Sequence, residues 1–408
     1  MKSNYKKLGK YIREVNNRDV NMKVALLLGV SIEKKFKPSI ANTIGTDMST
    51  YKIVKRKQFA YGPVTSRNGD KISIALLENF EEAIVSQAYT PFEIVDINQL
   101  LPEYLMMWFR RPEFDRYARF MSHGSAREIF GWEEMCNTEL PVPSIEKQKE
   151  IVKEYNAIVN RINLNDQLCQ KLEETAQTIY KQWFVDFEFP NGEGNPYKSF
   201  GGEIVFDEEL EKEIPKGWVP YQLQSFGRIV TGKTPSSENP EHYGTKMQFV
   251  TPGDFNAIYK YILHSNRILS ESGVNILKNK ILPSGSVIVT CIGSDMGKVA
   301  LASDECITNQ QMNSIVVFKE IYSDYLYYHL KSIAKDLKGM AVGGSTMPML
   351  NKSDFEIIKI YKPTEDVLKM FHQKMKAINK SLINTASITY TCQKLKDLIL
   401  SKLATIEN

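Results

Sequence analysis

Few residues of this chain stand in spacings that could do covalent chemistry. The five histidines, at 123, 242, 264, 329 and 372, show neither metal-ligand spacing nor partners for a Ser/His/Asp relay. His329 reads as a packing residue in an apolar helical stretch. The cysteines at 136, 169, 291, 306 and 392 form no Cys-x-x-Cys pair, so structural zinc is not expected. Gly232-Lys233-Thr234 ends as a phosphate-binding loop ends, and Asn195-Pro196-Tyr197 holds part of an amino-methylating loop. No glycine-rich loop follows a convincing first strand, so an S-adenosylmethionine site is not expected either. Neither a catalytic residue nor a metal ligand is assigned.

Polar loops offer a different chemistry, the holding of phosphates or base edges. Lys55 and Lys57 lie in the densest basic patch, Lys52 to Lys57, and Arg67 and Lys71 in the loop Thr65 to Lys71. Ser125 and Arg127 follow His123-Gly124. In the second half Lys233, Thr234, Ser294 and Lys298 occupy similar loops, and Ser345 and Thr346 follow Gly343-Gly344, where backbone N–H groups lie open to a close approach. Each loop alone reads more readily as an ordinary solvated turn. Their recurrence at matched places, Ser125 and Ser345 being 220 residues apart, favours a shared role.

Two long helices must position these loops. Ile151, Tyr155, Ile158, Ile162, Leu172 and Ile179 belong to a stripe spaced by alternating fours and threes, with Asn165 and Cys169 inside it. Neither Pro nor Gly stands between Pro143 and Pro190, so about 37 residues form a rod roughly 55 Å long. Such a seam needs a partner. Phe371, Met375, Ile378 and Leu382 repeat the spacing 220 residues downstream; after a slip at Thr385 it resumes through Ile388, Leu395 and Ile399. The slip predicts an irregularity or an early bend in the second rod. Cys169-Gln170-Lys171-Leu172 returns as Cys392-Gln393-Lys394-Leu395. Tyr104-Leu105 matches Tyr325-Leu326, and Pro143 matches Pro363, whereas the segments upstream diverge, Ile229 to Gly253 having no evident counterpart.

The predicted architecture is α+β: two mixed domains alternating with two long helices that pair as an antiparallel coiled coil, a pseudo-twofold internal repeat. Its boundaries are a domain over 1–143, a helix over 144–189, a linker over 190–214, a domain over 215–363 and a helix over 364–406. Strands are expected over Lys52 to Tyr61, Ile72 to Leu77, Gln248 to Thr251, Val287 to Cys291 and Ser314 to Phe318. Helices are expected over Pro102 to Tyr117 and Asp324 to Lys335. The composition, 42% hydrophobic and 25% charged, is that of an ordinary soluble protein, and Val24 to Val30 is too short to cross a membrane. Unpaired cysteines suit a reducing cytoplasm. The net charge of +4 is mild, so a nucleic-acid partner would need local basic patches or a basic partner subunit.

The chain resembles the specificity subunits of type I restriction–modification enzymes over essentially its full length. The alternation of domains and helices carries the resemblance. So do Ile229-Val230-Thr231-Gly232-Lys233-Thr234-Pro235-Ser236, Phe249-Val250-Thr251-Pro252-Gly253-Asp254, Leu140-Pro141-Val142-Pro143 with Gln148, and Asn309-Gln310-Gln311, which is similar to the family's glutamine-containing strand. In that setting the Gly-Lys-Thr segment opens a target recognition domain and is not a nucleotide site. The first domain lacks that opening. The resemblance implies a subunit without catalytic residues that reads a bipartite, asymmetric site in double-stranded DNA. It implies helices that set the spacer between half-sites, two flanking adenine methyltransferase subunits, and motor-nuclease subunits that join them. It also implies S-adenosylmethionine, Mg and ATP on those partners only, no membrane, and a bacterial or archaeal cytoplasm. An adaptor protein with other partners and a self-contained DNA-modifying enzyme are the competing readings. A neighbouring methyltransferase gene speaks against the first, and the absence of methyl transfer by the pure chain against the second.

Overall fold

A computed structural model describes residues 5–39, 46–66, 68–124, 127–236, 238–255, 259–340 and 349–406. The chain divides into two compact units, residues 1–161 with 392–408, and residues 162–391. The division runs through both long helices rather than at their ends.

Among the described residues of the first unit, nine short strands precede the first α-helix: β1 (Tyr5–Lys7), β2 (Ile12–Glu14), β3 (Leu28–Val30), β4 (Phe36–Pro38), β5 (Lys52–Lys55), β6 (Phe59–Tyr61), β7 (Ile74–Leu76), β8 (Glu82–Val85) and β9 (Thr90–Ile94). Helices α1 (Pro102–Phe109), α2 (Pro112–Phe120) and α3 (Trp132–Asn137), strand β10 (Glu139–Pro141) and the long helix α4 (Ile145–Phe184) follow. The expected strand 52–61 is split by a turn in which Lys57 takes a φ of 69°. The expected helix 102–117 breaks before Pro112, whose ring bars its neighbour from helical backbone and which itself offers no N–H.

The central sheet runs β2-β9-β6-β7, all antiparallel. One face, with Phe59, Tyr61, Ile74 and Phe92, packs on Tyr104, Leu105 and Phe109 of α1. Ala60 and Ala75 on the other face meet Leu28, Val54 and Val85. Gln148 has no exposed surface. Its Nε2 donates to the carbonyls of Gln99 and Pro143, each at 2.9 Å, and its Oε1 accepts from the Leu101 N–H at 2.9 Å. That amide ties the first turn of α4 to the start of α1.

The second unit begins inside α4. The stretch expected as a linker folds as a hairpin, β11 (Ile204–Asp207) with β12 (Lys212–Pro215). It is anchored by buried Phe187 and Phe189, the latter stacked on Trp218 at 5.3 Å. Next come β13 (Val219–Gln222), β14 (Gly227–Thr231), β15 (Tyr243–Val250), β16 (Tyr261–Ile262), β17 (Arg267–Leu269) and α5 (Glu271–Ile276). They are followed by β18 (Val287–Thr290), β19 (Val299–Ala302), β20 (Cys306–Thr308), β21 (Met312–Val317), α6 (Ile321–Ser332), α7 (Ala334–Met340), α8 (Lys352–Glu356), β22 (Lys359–Lys362) and α9 (Glu365–Lys402).

Its main sheet, β14-β21-β18-β19-β16, repeats the order and direction of β2-β9-β6-β7 and adds a parallel edge strand. Pairing of β13 with β22 repeats that of β1 with β10. Even one side-chain bond recurs: Tyr104 donates to the carbonyl of Pro141, and Tyr325 to that of Tyr361. The upstream segments therefore do correspond, β14 to β2, because topology persists where residue identity has gone. Besides that added strand, the units diverge in the second layer, where β15 pairs with β17 and β20 and the first unit has the separate pairs β3-β4 and β5-β8.

The long helices pair antiparallel. In the first unit Ile151 and Tyr155, near the start of α4, share a core with Leu400 and Leu403 at the end of α9. In the second unit Ala176, Tyr180, Trp183 and Phe184 share one with Val367, Leu368, Phe371 and Met375, and the Phe184 and Phe371 rings lie 4.8 Å apart. Of the seam residues expected from spacing, Leu382 is also buried, and Ile158, Ile162, Leu172, Ile179, Ile378 and Ile399 are half-buried. Leu395 is not a seam residue, being 45% exposed. Past Leu382 the buried stripe continues through Thr385, Ala386 and Thr389, leaves Ile388 exposed, and closes on Leu400 and Leu403. The threes and fours therefore carry on through the expected slip, with no irregularity or bend, and α9 runs as unbroken α-helix there.

Candidate nucleic-acid interface

In the second unit three polar loops converge at one end of the main sheet. β14 leads into Gly232, where a Cβ would lie 2.1 Å from the Asn309 carbonyl oxygen, so only glycine admits this close backbone approach. Lys233 N–H then donates to the Thr308 carbonyl at 2.9 Å, and the Thr234 hydroxyl to Oε1 of Gln310. Cys291 N–H donates to the Gln311 carbonyl at 2.8 Å, which brings the loop 291–298 alongside. Buried Asn313 links β14 to the segment before α8: its Oδ1 accepts from the Thr231 hydroxyl at 2.7 Å and its Nδ2 donates to the Leu350 carbonyl at 3.1 Å. Lys233, Thr234, Ser294 and Lys298 are thereby gathered at one edge. Lys298 pairs with Asp295 at 2.7 Å, and Lys338 of α7 reaches the Ser294 carbonyl at 3.5 Å. Ser345 and Thr346 lie outside the described residues.

The first unit builds the same end of its sheet from the loops that follow β6 and α2. Thr65 is buried; its N–H donates to the Glu128 carbonyl at 3.0 Å and its hydroxyl to Ser122 Oγ at 2.9 Å. Arg119 pairs with Glu128 and reaches Thr65 Oγ1 at 3.4 Å. A buried pair, Lys34 with Asp115 at 2.6 Å, steadies the end of the first loop, since the same Asp115 oxygen accepts from Ile72 N–H at 3.1 Å. Burial depresses the Lys34 ammonium pKa, and Asp115 opposes that shift. Lys71 and Arg127 are exposed in these loops. Arg67 and Ser125 lie outside the described residues.

Lys55 and Lys57 are not brought to this edge. They precede β6 and so stand at the opposite end of that strand from the loop that follows it. Their patch is also largely spent within the fold: Lys57 pairs with Glu103, Arg56 with Glu81 at 2.9 Å, and Lys52 donates to the Tyr89 carbonyl at 3.0 Å.

Residues 309–311 form the turn ahead of β21 rather than a strand, and that turn supplies the polar side chains that spacing missed. Gln310 is exposed there, while Asn309 Nδ2 donates to Gln311 Oε1 at 2.9 Å. Gly227 stands five residues before Gly232. With Gly232-Lys233-Thr234 it completes the spacing Gly-x-x-x-x-Gly-Lys-Thr. Yet Gly227 to Thr231 are the strand β14, committed to the ladder with β21, and a Cβ on Gly227 would lie 2.4 Å from the Val316 carbonyl oxygen. A phosphate cradle needs those residues as a free loop capping a following helix.

The most displaced titrations are explained by packing. His329 is buried against Tyr180, whose hydroxyl lies 2.9 Å from its Nδ1, and burial lowers its pKa to about 3. Burial opposes ionisation of Asp324, but Lys260 at 2.6 Å, His372 at 2.9 Å and Asn379 at 2.8 Å hold its pKa below the usual carboxylate value. Glu173 of α4 accepts from Tyr327, Tyr328 and Lys331 of α6. These groups fasten α6 to the long helices of the second unit.

Residues 30–174 and 215–396 match the family model of the type I restriction modification DNA specificity domain. Over 403 residues the chain is 26% identical to the type I restriction enzyme HindI specificity subunit of Haemophilus influenzae, covering 86% of each. It is 25% identical over 314 residues to the MjaIX specificity subunit of Methanocaldococcus jannaschii, covering 76% of this chain and 70% of that one. The crystal structure of a type I restriction-modification S subunit from M. genitalium has the same fold, with a TM-score of 0.59 at 12% identity over 99% of this chain and 96% of that one.

Proposed function

Because the chain belongs to the type I restriction modification DNA specificity family, we propose that each mixed domain reads one half of a split, asymmetric site in double-stranded DNA. The chain is a specificity subunit with a role in DNA sequence recognition. The observation that carries the finer reading is recurrence. Two units of one topology each gather polar and basic loops at the same end of the same sheet, as two readers of two half-sites require.

Two adenine methyltransferase subunits flank the chain, and motor-nuclease subunits join them, in the cytoplasm of a bacterium or archaeon. S-adenosylmethionine, Mg and ATP act on those partners, and this chain contributes no catalytic group. The burial of His329, Asp324 and Glu173 supports that division of labour, because the groups that a pH-tuned site would use are engaged in packing. Among the described residues no group of three or more His, Cys, Asp or Glu is placed to hold a metal.

The net charge of +4 and the internal ion pairs at the loops support weak binding by the isolated chain, with the methyltransferases completing a clamp around DNA. Co-expression with the methyltransferase subunit, followed by mapping of methylated adenines across a genome, tests the reading. A bipartite motif with a fixed spacer is the expected result. A continuous motif, or methyl transfer by the pure chain, would overturn it.

A further inference from the structure

Among the described residues, each unit presents a large apolar side chain to solvent at an equivalent position on the edge where its polar loops converge. Ile129 is 44% exposed and Met349 is 50% exposed. Exposed apolar residues are common singly and need no explanation. This pair differs because the two residues are structurally equivalent, 220 positions apart. Ile129 forms an antiparallel bridge to Val64, in the loop after β6, and Met349 forms one to Ile292, in the loop after β18. The next residue turns inward in both units. Phe130 is buried and its N–H donates to the Pro63 carbonyl at 2.8 Å; Leu350 is buried and its N–H donates to the Cys291 carbonyl at 2.9 Å. Two residues later each chain begins the short helix α3 or α8. The fold thus holds both side chains outward on a bridged backbone, an unfavourable exposure that it repeats.

Resting on the DNA-reading function proposed above, we propose that Ile129 and Met349 are the matched apolar contacts of the two half-sites, each pressed against base edges in a groove. Exposed cations stand in the neighbouring loops, Lys71 and Arg127 in one unit and Lys233 and Lys298 in the other, and phosphates on either side of the groove would meet them. An aliphatic or thioether side chain offers a base pair no hydrogen bond. It contacts a thymine methyl or wedges between base steps, so its contribution is sequence-dependent without being a donor or acceptor code.

The test uses the full chain assembled with its methyltransferase subunit, carrying Ile129→Ala or Met349→Ala, with Ile129→Val and Met349→Leu as conservative controls. Methylated adenines are mapped across a genome, and binding to a duplex bearing the mapped site is measured. Each Ala variant is expected to bind about tenfold more weakly, the factor equivalent to about 1.4 kcal/mol of lost apolar contact. Each should also tolerate new bases in one half of the motif only, Ile129→Ala in one half and Met349→Ala in the other, with the conservative variants close to the parent. Unchanged motif and affinity would overturn the proposal. So would equal loss at both halves together with failure to co-purify the methyltransferase, which would assign the pair to subunit docking. If the unsubstituted complex yields no bipartite motif, the underlying function fails as well, and that outcome is seen before any variant is made.

Discussion

At the residue scale, placement decides which polar groups are free to act. Lys233 is exposed and, among the described residues, held to Thr308 through its backbone alone, so its ammonium is available to a phosphate. Lys233→Ala should weaken DNA binding by the assembled complex by a similar factor on specific and unrelated duplexes and lower the salt slope by about one. A loss confined to one DNA sequence would show a base contact instead. Gly232→Ala places a methyl group against two backbone carbonyls and should disable one half of the motif while the other stays intact. His329 tests the packing account. With its folded pKa lowered to about 3, it stays neutral while an unfolded-chain histidine protonates near about 6.5. Its share of stability is therefore complete at neutral pH and declines as pH falls from about 6.5 towards the folded value. The ring resonances of His329 should stay constant from pH 7.5 to about 5; a titration midpoint near 6 would contradict the burial argument.

At the element scale, the long helices were the most legible part of the chain. A 40-residue α4 and a 38-residue α9 carry their periodicity in cis. The seam of α9 could be followed as far as Thr385; beyond it the buried position is the polar Thr389 and not its apolar neighbour Ile388, a choice that only the facing side of the helix decides. Leu395→Glu should accordingly change stability by no more than about 1 kcal/mol in urea unfolding, whereas Phe371→Ala, which removes a fully buried ring from the helix interface, should cost about 3–5 kcal/mol. Equal effects would put Leu395 back in the seam. The strands were the least legible elements. Most are three or four residues long, so alternation has no room to declare itself, and the duplication of β2 in β14 shows only in the order of pairing. The same limit hid half of the candidate site. Polar loop residues are visible by type, but it takes the direction of β6 to put Lys55 and Lys57 at the other end of the sheet, and the fold to place Gln310 in a turn at the edge.

At the scale of the whole molecule, a duplicated chain whose helices run through both compact units is suited to fix a distance as well as two sequences. Adding seven residues to α4 between Arg161 and Ile162, and seven to α9 between Thr391 and Cys392, keeps both seams in phase and lengthens each helix by about 10 Å. The spacer of the methylated motif should grow by about three base pairs, at 3.4 Å per step, with both halves unchanged. An unchanged spacer would remove the helices from any role in setting it. The division of reading between the two domains is the central claim, and exchanging one of them tests it most directly. With residues 1–140 replaced by the matching segment of a family member of different specificity, methylated adenines mapped from the assembled complex should show one new half and one retained half. Change in both halves, or in neither, would contradict the account.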